Sequence, residues 1–229
     1  MEFTKENPLR TTRELRQSYD RIFRRAPLRE APGLYRRLMR VLAPEKGSTL
    51  LDVACGGGYL LAEAEAAGLR AVGVDLSAVA LGLARDGAAG AAAVLGDGER
   101  LPFAGEAFDC VTNIGSLEHF FDPGAGVREM ARVLKKNGRL LVMVPNSYFL
   151  MTVWNVLWQG DSGRATDQEV DRWATRREWS DLLRGNGLEV EKVLKHNYSS
   201  RRSPLLYKLV RPFIPLNLSY CFLFLCRKP

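Results

Sequence analysis

Three carboxylates and a glycine turn are the residues of this chain whose types and spacing point most directly to chemistry. Asp52 sits inside the apolar run TLLDVA, Gly56, Gly57 and Gly58 follow it, Asp75 ends the run AVGVD, and Asp97 ends AAAVLGD. A glycine turn lets main chain approach a ligand without Cβ clashes, and a helix opening after it offers unpaired N–H groups to a carboxylate. An acid at the end of the second run can accept both hydroxyls of a ribose, and a third acid followed by Gly98 can accept from an adenine amino group. His119, in SLEHF just past the run FDCVTNI, is placed to take a proton from a substrate hydroxyl as a neutral imidazole. The alternative, and the favoured reading, is that His119 and Glu118 stabilise a helix start or line the cleft without proton transfer. Cys55 has no histidine partner and reads as a small packing residue, not a nucleophile.

These side chains need elements that bring them to one edge. From Thr49 onward short apolar runs alternate with helical patterns: TLLDVA, AVGVD, AAAVLGD, FDCVTNI and RLLVMV read as strands. YLLAEAEAA reads as a helix with Leu60, Leu61, Ala64 and Ala67 on one face and Gly68 as its stop. Ser77 caps the next helix, and another runs from Pro123 to about Lys136, where Asn137-Gly138 ends it. Such alternation predicts a parallel, doubly wound α/β sheet whose ligand edge lies at the strand C-termini. Ahead of it, Thr11 to Leu42 reads as arginine-rich helix interrupted near Pro27 and Pro32. Behind it come an aromatic-rich insertion at about 146–172, with Tyr148, Phe149, Trp154 and Trp158, and a helix opened by the T-x-x-E box of Thr175 and Glu178 and stopping near Asn186-Gly187. Two final strands, LEVEKVL and LSYCFLFLC, are joined by a basic loop containing Pro204, Pro212 and Pro215.

The stretches LLDVACGGGYLL, VGVDLS, GDGERLPF, FDCVTNIGSLEHF and EMARVLKKNGRLLVMVPN, in this order between about Thr49 and Asn146, resemble the class I S-adenosylmethionine-dependent methyltransferases, in the type 11-like subgroup that acts largely on small molecules. The resemblance implies a Rossmann-like, mostly parallel seven-stranded sheet with a final antiparallel strand. It also implies an N-terminal helical lid over 1–46 and a methyltransferase domain over 47–229. By that resemblance Asp52 and the loop of Ala54, Cys55, Gly56 and Gly58 hold the methionine end of the cofactor. Asp75 takes the ribose hydroxyls and Asp97 with Gly98 the adenine, with Leu76 and Glu99 in the same cofactor set. Asn113, Ile114 and Gly115 face the sulfonium and the incoming substrate, and Tyr19 covers the cofactor. Ala54 stands where the family's first loop glycine is usual, which implies retained binding on a slightly shifted loop. A nicotinamide-binding fingerprint is the rival reading of Gly56-x-Gly58, but its third position is Leu61, where Gly or Ala is needed for close helix–sheet packing.

The implied activity is transfer of a methyl group from S-adenosylmethionine to a small-molecule acceptor, at oxygen, nitrogen or carbon, by in-line displacement, with S-adenosylhomocysteine as product. Composition agrees with one enzyme-sized unit: 229 residues, 46% hydrophobic, bury a core without a disulfide or metal. Cys55, Cys110, Cys221 and Cys226 show no CxxC pair and no histidine at metal-ligand spacing, so no metal is expected. Cys221 and Cys226, five apart on one strand, point to opposite faces and cannot pair. Free thiols, the lack of an apolar leader in MEFTKENPLRTTREL, and no apolar stretch approaching about 18 residues give a cytoplasmic expectation.

The net charge of +7 is uneven: residues 1–46 carry 12 basic and 6 acidic side chains, and 193–229 carry 7 and none. A near-neutral to acidic centre does not favour nucleic acid, although basic flanks keep an RNA methyltransferase as an alternative. Against it, no RNA-binding module is attached and the fourth-strand motif is not of the NPPY or DPPY type. The segment KHNYSSRRSPLLYKLVRPF interleaves basic and apolar residues and reads first as a solvated loop with a few packed side chains, with contact to an anionic membrane surface or anionic substrate as the alternative. A non-catalytic cofactor-binding adaptor at a membrane surface is the other alternative. The aromatic insertion is expected either to wall the pocket or to join the core, and His196 is a weaker candidate for a substrate contact. Monomer and homodimer are equally compatible with the sequence.

Overall fold

Apolar runs of five to seven residues become central strands when helices cover both sheet faces, because neither face then requires polar alternation. The computed structural model describes residues 11–26, 33–88, 90–162, 170–197 and 205–229. Pro27, Pro32 and Pro204 lie outside them. In chain order the elements are α1 (Thr12–Arg25), α2 (Leu34–Leu42), β1 (Thr49–Val53), α3 (Tyr59–Ala66), β2 (Arg70–Asp75), α4 (Ala78–Gly87), β3 (Ala92–Leu95), β4 (Phe108–Ile114), α5 (Pro123–Val133), β5 (Leu134–Pro145), α6 (Leu150–Gln159), α7 (Arg176–Gly185), β6 (Glu189–His196), α8 (Leu205–Val210) and β7 (Cys221–Arg227).

The seven strands form one sheet in the order β3-β2-β1-β4-β5-β7-β6. Six run parallel, and β7 lies antiparallel between β5 and β6. This is a Rossmann-like sheet, and its strand order reverses direction between β1 and β4, where open α/β sheets place a ligand crevice. Alternate residues feed two cores. Leu51, Val53, Val111, Leu140 and Val142 join Met130 of α5 and Leu183 of α7, whereas Leu50, Cys110, Leu141 and Met143 join Leu38 of α2 and Leu61 of α3. Cys221 falls in the second cluster and Cys226 in the first, on opposite faces as their spacing requires.

Local signals act mostly as expected. Ser77 Oγ accepts from the Ala80 N–H at the head of α4, and Thr175 and Glu178 form a reciprocal capping box on α7. The same T-x-x-E pattern, unread in the sequence, caps α1: Thr11 Oγ1 accepts from the Glu14 N–H at 3.2 Å, and Glu14 accepts from the Thr11 N–H at 3.1 Å.

Two readings are corrected. α5 stops at Val133, before Lys136, and Asn137-Gly138 lies inside β5. Asn137 has φ 61°, and a Cβ on Gly138 would fall 2.8 Å from the Lys135 carbonyl and 2.9 Å from that of Asp109. An Asn-Gly pair marks left-handed backbone, which serves a strand irregularity as well as a helix stop; here it accompanies the register shift opposite β4 between Phe108 and Cys110. Ala67, read as part of the buried face of α3, is its exposed C-cap.

Candidate active site

The crevice at the β1–β4 reversal opens into a cavity of about 300 Å³, within the range of small-molecule sites. Its floor is the loop after β1. Ala54 adopts φ 59°, Gly56 φ 52° and Gly58 φ 75°. The left-handed backbone at Ala54 explains why glycine suits this position; a Cβ there costs about 1–2 kcal/mol. The loop keeps that conformation with alanine in place. Gly58 does not line the cavity. Its requirement is packing, because a Cβ would sit 2.9 Å from Cα and Cβ of Ala84 and push α3 away from α4. Cys55 lines the cavity and fills the space over Gly73, whose Cβ would lie 2.6 Å from the Cys55 sulfur. Burial holds its thiol protonated, which suits a packing residue.

The acids are carried by strand ends and held by specific donors. Asp75 accepts from the Gly56 N–H through Oδ2 and from the Ser77 N–H through Oδ1, both at 2.8 Å. It thereby ties the loop after β1 to the end of β2. Burial pushes its pKa up to about 6 against the pull of those N–H donors. Asp52 accepts from Thr112 Oγ1 at 2.6 Å and is pushed up to about 7, first by burial, with the Thr112 hydrogen bond opposing and Asp75 adding repulsion. Asp97 accepts from the Glu99 N–H at 2.9 Å. Gly98 must be bare, since a Cβ there would clash with the Phe120 ring. Leu76 and Glu99 also line the cavity, but the Glu99 carboxylate is occupied, accepting from the N–H groups of Phe121 at 2.6 Å and Asp122 at 3.1 Å.

Beyond β4, Ile114, Gly115 and Ser116 line the cavity. Asn113 does not: fully buried, it donates to the Val53 carbonyl at 3.1 Å and so braces β4 against β1. His119 follows in a one-turn 3-10 helix, Leu117–His119. It lines the cavity, and its Nδ1 lies 2.5 Å from the Val170 carbonyl. A carbonyl only accepts, so Nδ1 carries the proton of the neutral ring and Nε2 presents a lone pair. Burial first, and the Arg172 charge, lower the His119 pKa against the raising effects of the Val170 bond and Asp171, keeping the imidazole neutral.

The N-terminal helices supply another wall. Leu15, Tyr19 and Phe23, four residues apart on α1, line the cavity with Tyr35 of α2. Tyr35 stacks on Tyr59 at 5.7 Å between ring centroids. Asp20 of α1 accepts from Ser77 Oγ at 2.6 Å, and Thr12 donates to Asp97 at 3.4 Å. Tyr19 keeps its phenol protonated, through burial and the nearby acids Glu118, Asp75 and Asp171. Sequence reasoning missed Leu15, Phe23, Tyr59, Ser116 and Phe120; the i, i+4, i+8 stripe of Leu15, Tyr19 and Phe23 was the available signal. It also missed Arg172, which donates to the Phe120 and Phe121 carbonyls and sets the loop bearing His119.

The aromatic insertion does not wall this cavity, and its Tyr148, Trp154 and Trp158 stay outside the core, whereas Val170 near its end is buried. No residue of its described part lines the cavity, and Trp154 and Trp158 are exposed. The reason is its position beyond β5, on the far side of β4 from the crevice. Its contribution is indirect, through the Val170 carbonyl. His196, at the end of β6, is likewise outside the cavity lining. Burial, with Arg37 and Arg211 nearby, pushes its pKa down to about 4.

The arrangement offers acceptors for hydroxyl and amino groups, open main chain at the glycines, and a neutral imidazole. Residues 51–142 match the family described as a methyltransferase domain. A demethylmenaquinone methyltransferase from Corynebacterium kroppenstedtii is 41% identical over 111 residues, covering 48% of this chain and 47% of that protein. The chain therefore spans about half the length of the curated relatives it matches. Among solved structures, a protein from Bacillus halodurans C-125 described as a methyltransferase aligns with TM-score 0.65 and 25% identity, over 85% of this chain and 98% of that one. An S-adenosylmethionine-dependent methyltransferase from Mesorhizobium loti shares the fold, with TM-score 0.63 and 19% identity over 84% and 96% of the two chains. With its motifs on successive strand ends of a sheet of this order, the stretch 51–142 of the chain is a methyltransferase domain, and the whole sheet shares the fold of these solved structures.

Proposed function

We propose that the chain methylates a small-molecule acceptor, with His119 as general base where the acceptor atom is a hydroxyl. S-adenosylmethionine, when bound, supplies a methyl group already activated on a sulfonium. The chain's own residues bind, orient and exclude water. In this reading Asp75 holds the ribose hydroxyls, Asp97 with Gly98 the adenine, and Asp52 with Ala54, Cys55 and Gly56 the methionine end. Ile114 and Gly115 border the reacting methyl. Gly58 and Asn113 act behind them by packing, and α1 and α2 form a lid whose Tyr19 covers the cofactor. The demethylmenaquinone methyltransferases among its relatives support a small organic acceptor.

The observation that carries the base assignment is the Nδ1 contact to the Val170 carbonyl, which fixes the tautomer and leaves Nε2 as the proton acceptor on a cavity-lining residue. A base so oriented is worth about 10²–10⁴-fold in rate. The test pairs calorimetry of cofactor and product with transfer of a labelled methyl group to a panel of hydroxyl-bearing acceptors. S-adenosylhomocysteine should bind, and His119→Gln should lower kcat by about 10²-fold or more with cofactor affinity unchanged. Failure of the wild type to bind either cofactor form overturns the enzyme reading; an unchanged kcat in His119→Gln removes the base.

A further inference from the structure

Helix α6 buries none of its residues, and its sequence LMTVWNVLWQ contains no charged side chain. Met151, Trp154, Leu157 and Trp158 lie three or four apart and so share one stripe, with Leu157 70% and Trp158 68% exposed. The two indoles stack at 4.3 Å and 6°, which orders the stripe through its own contacts. An apolar face of this kind, left in water, marks an interaction surface.

A second apolar element adjoins it. On α8 and the turn after it, Leu205 and Leu209 are exposed and Phe213 is 82% exposed. Phe149, at the head of α6, meets Tyr207 of α8 edge to face at 6.3 Å and Tyr220 at 5.2 Å. Both segments leave the same edge of the sheet, because Pro145 of β5 and His196 of β6 each pair with Cys221 of β7. That is the carboxyl edge of the parallel strands, which also carries the loops of the candidate site.

Charge selects the occupant. Lys208 lies within α8 and Arg211 directly after it; no acid stands between 193 and 229, and of the other cations there Arg227 and Lys228 lie at the far end of β7, paired with Glu189, Glu191 and Glu106. Tryptophans on an apolar stripe beside cations match the headgroup region of an anionic bilayer, where indoles settle and lipid phosphates neutralise the cations. No helix among the described residues is long and apolar enough to cross a membrane, so the contact is peripheral.

We propose that α6 and the α8 turn form a docking surface for an anionic lipid bilayer. The docked chain holds the carboxyl edge of its sheet towards the bilayer, where an acceptor dissolved in lipid would be presented. That last consequence rests on the methyltransferase reading; docking itself does not. The test is flotation of the full chain, without cofactor, on phosphatidylcholine vesicles with and without phosphatidylglycerol. The chain should float with the anionic vesicles, and the double variant W154S/W158S, altered only at exposed positions, should lose at least about tenfold in partitioning with an unchanged melting curve. K208E should weaken flotation, and so should high salt. Three results would overturn the proposal: no flotation with anionic vesicles, equal flotation of the double variant, or a wild-type dimer in sedimentation that W154S/W158S dissociates while vesicles bind neither form. The third outcome would make this face an interface between two copies of the chain. S-adenosylhomocysteine binding by W154S/W158S, measured alongside, separates loss of docking from loss of the candidate site.

Discussion

Cofactor affinity should rise with pH across the range in which most carboxylates are already ionised. Asp75 and Asp52 stand at about 6 and about 7, against an ordinary 3.8, chiefly because burial penalises their charged forms. The folded protein without ligand thus retains protons that the unfolded chain has lost. With respect to these two groups its stability is greatest below about pH 4 and falls as pH rises through 6 and then 7; the shifts correspond to about 3–4 kcal/mol each at most. A cofactor that donates hydroxyl and ammonium hydrogens to the charged carboxylates pulls both pKa values down and must release protons on binding. At about pH 5, Asp75 is roughly one-tenth and Asp52 roughly one-hundredth ionised. Affinity for S-adenosylhomocysteine should therefore fall by at least about tenfold, and at most about a thousandfold, between about pH 8 and about pH 5. Calorimetry in buffers of differing ionisation enthalpy measures both the dissociation constant and the protons released. Asp75→Asn should bind more weakly at high pH and flatten the profile by about one decade. A dissociation constant constant to within threefold over that range, with no proton release, would refute the reasoning: the carboxylates would then either be ionised before binding or stay apart from the ligand.

The packing of the loop after β1 makes a sharper stability test. Gly58→Ala places a Cβ 2.9 Å from main chain and side chain of Ala84 at φ 75°; the conformational and overpacking costs together come to about 2–5 kcal/mol, read as a lowered urea midpoint with the slope unchanged. Thr175→Ala removes the capping box of α7, remote from the cavity. It should lower stability by about 1 kcal/mol in the same titration while leaving cofactor affinity untouched.

Much of the site was legible because its parts are local in sequence. Asp52, Asp75 and Asp97 each stand at or beside a strand end, and the strand–helix alternation alone brings such positions to one edge. The glycines carry information of the same kind: Gly56 and Gly98 are needed where main chain turns or a ring approaches, and the order of five motifs identified the domain. What sequence could not rank was the purpose of neighbouring residues. Gly56 borders the cavity whereas Gly58 faces Ala84, and Ile114 borders it whereas Asn113 braces β1. One residue of offset reverses a side chain's direction on a strand, and spacing alone does not tell which side is the crevice.

Contacts between distant segments were decided only by the tertiary structure. The His119 tautomer depends on a carbonyl 51 residues later, and the pairing of Asp20 with Ser77 spans 57. The raised pKa values of Asp52 and Asp75 arise from burial, which is a property of the packed sheet and its flanking helices rather than of any short motif. The aromatic insertion shows the limit most plainly. By composition, Trp154 and Trp158 suited a pocket wall or a core equally well. They are exposed, and their absence from the pocket wall follows from the sheet order, which sets β5 and the segment after it beyond β4, away from the crevice between β1 and β4. Sequence by itself determined the strands and most helices, though not α6 or the α8 that stands in the basic loop, and which chemical groups stand at their ends, because propensity, capping and turn chemistry act over a few residues. The tertiary structure decided which groups are buried, paired and facing one another, because desolvation and cross-chain hydrogen bonds exist only once distant segments meet.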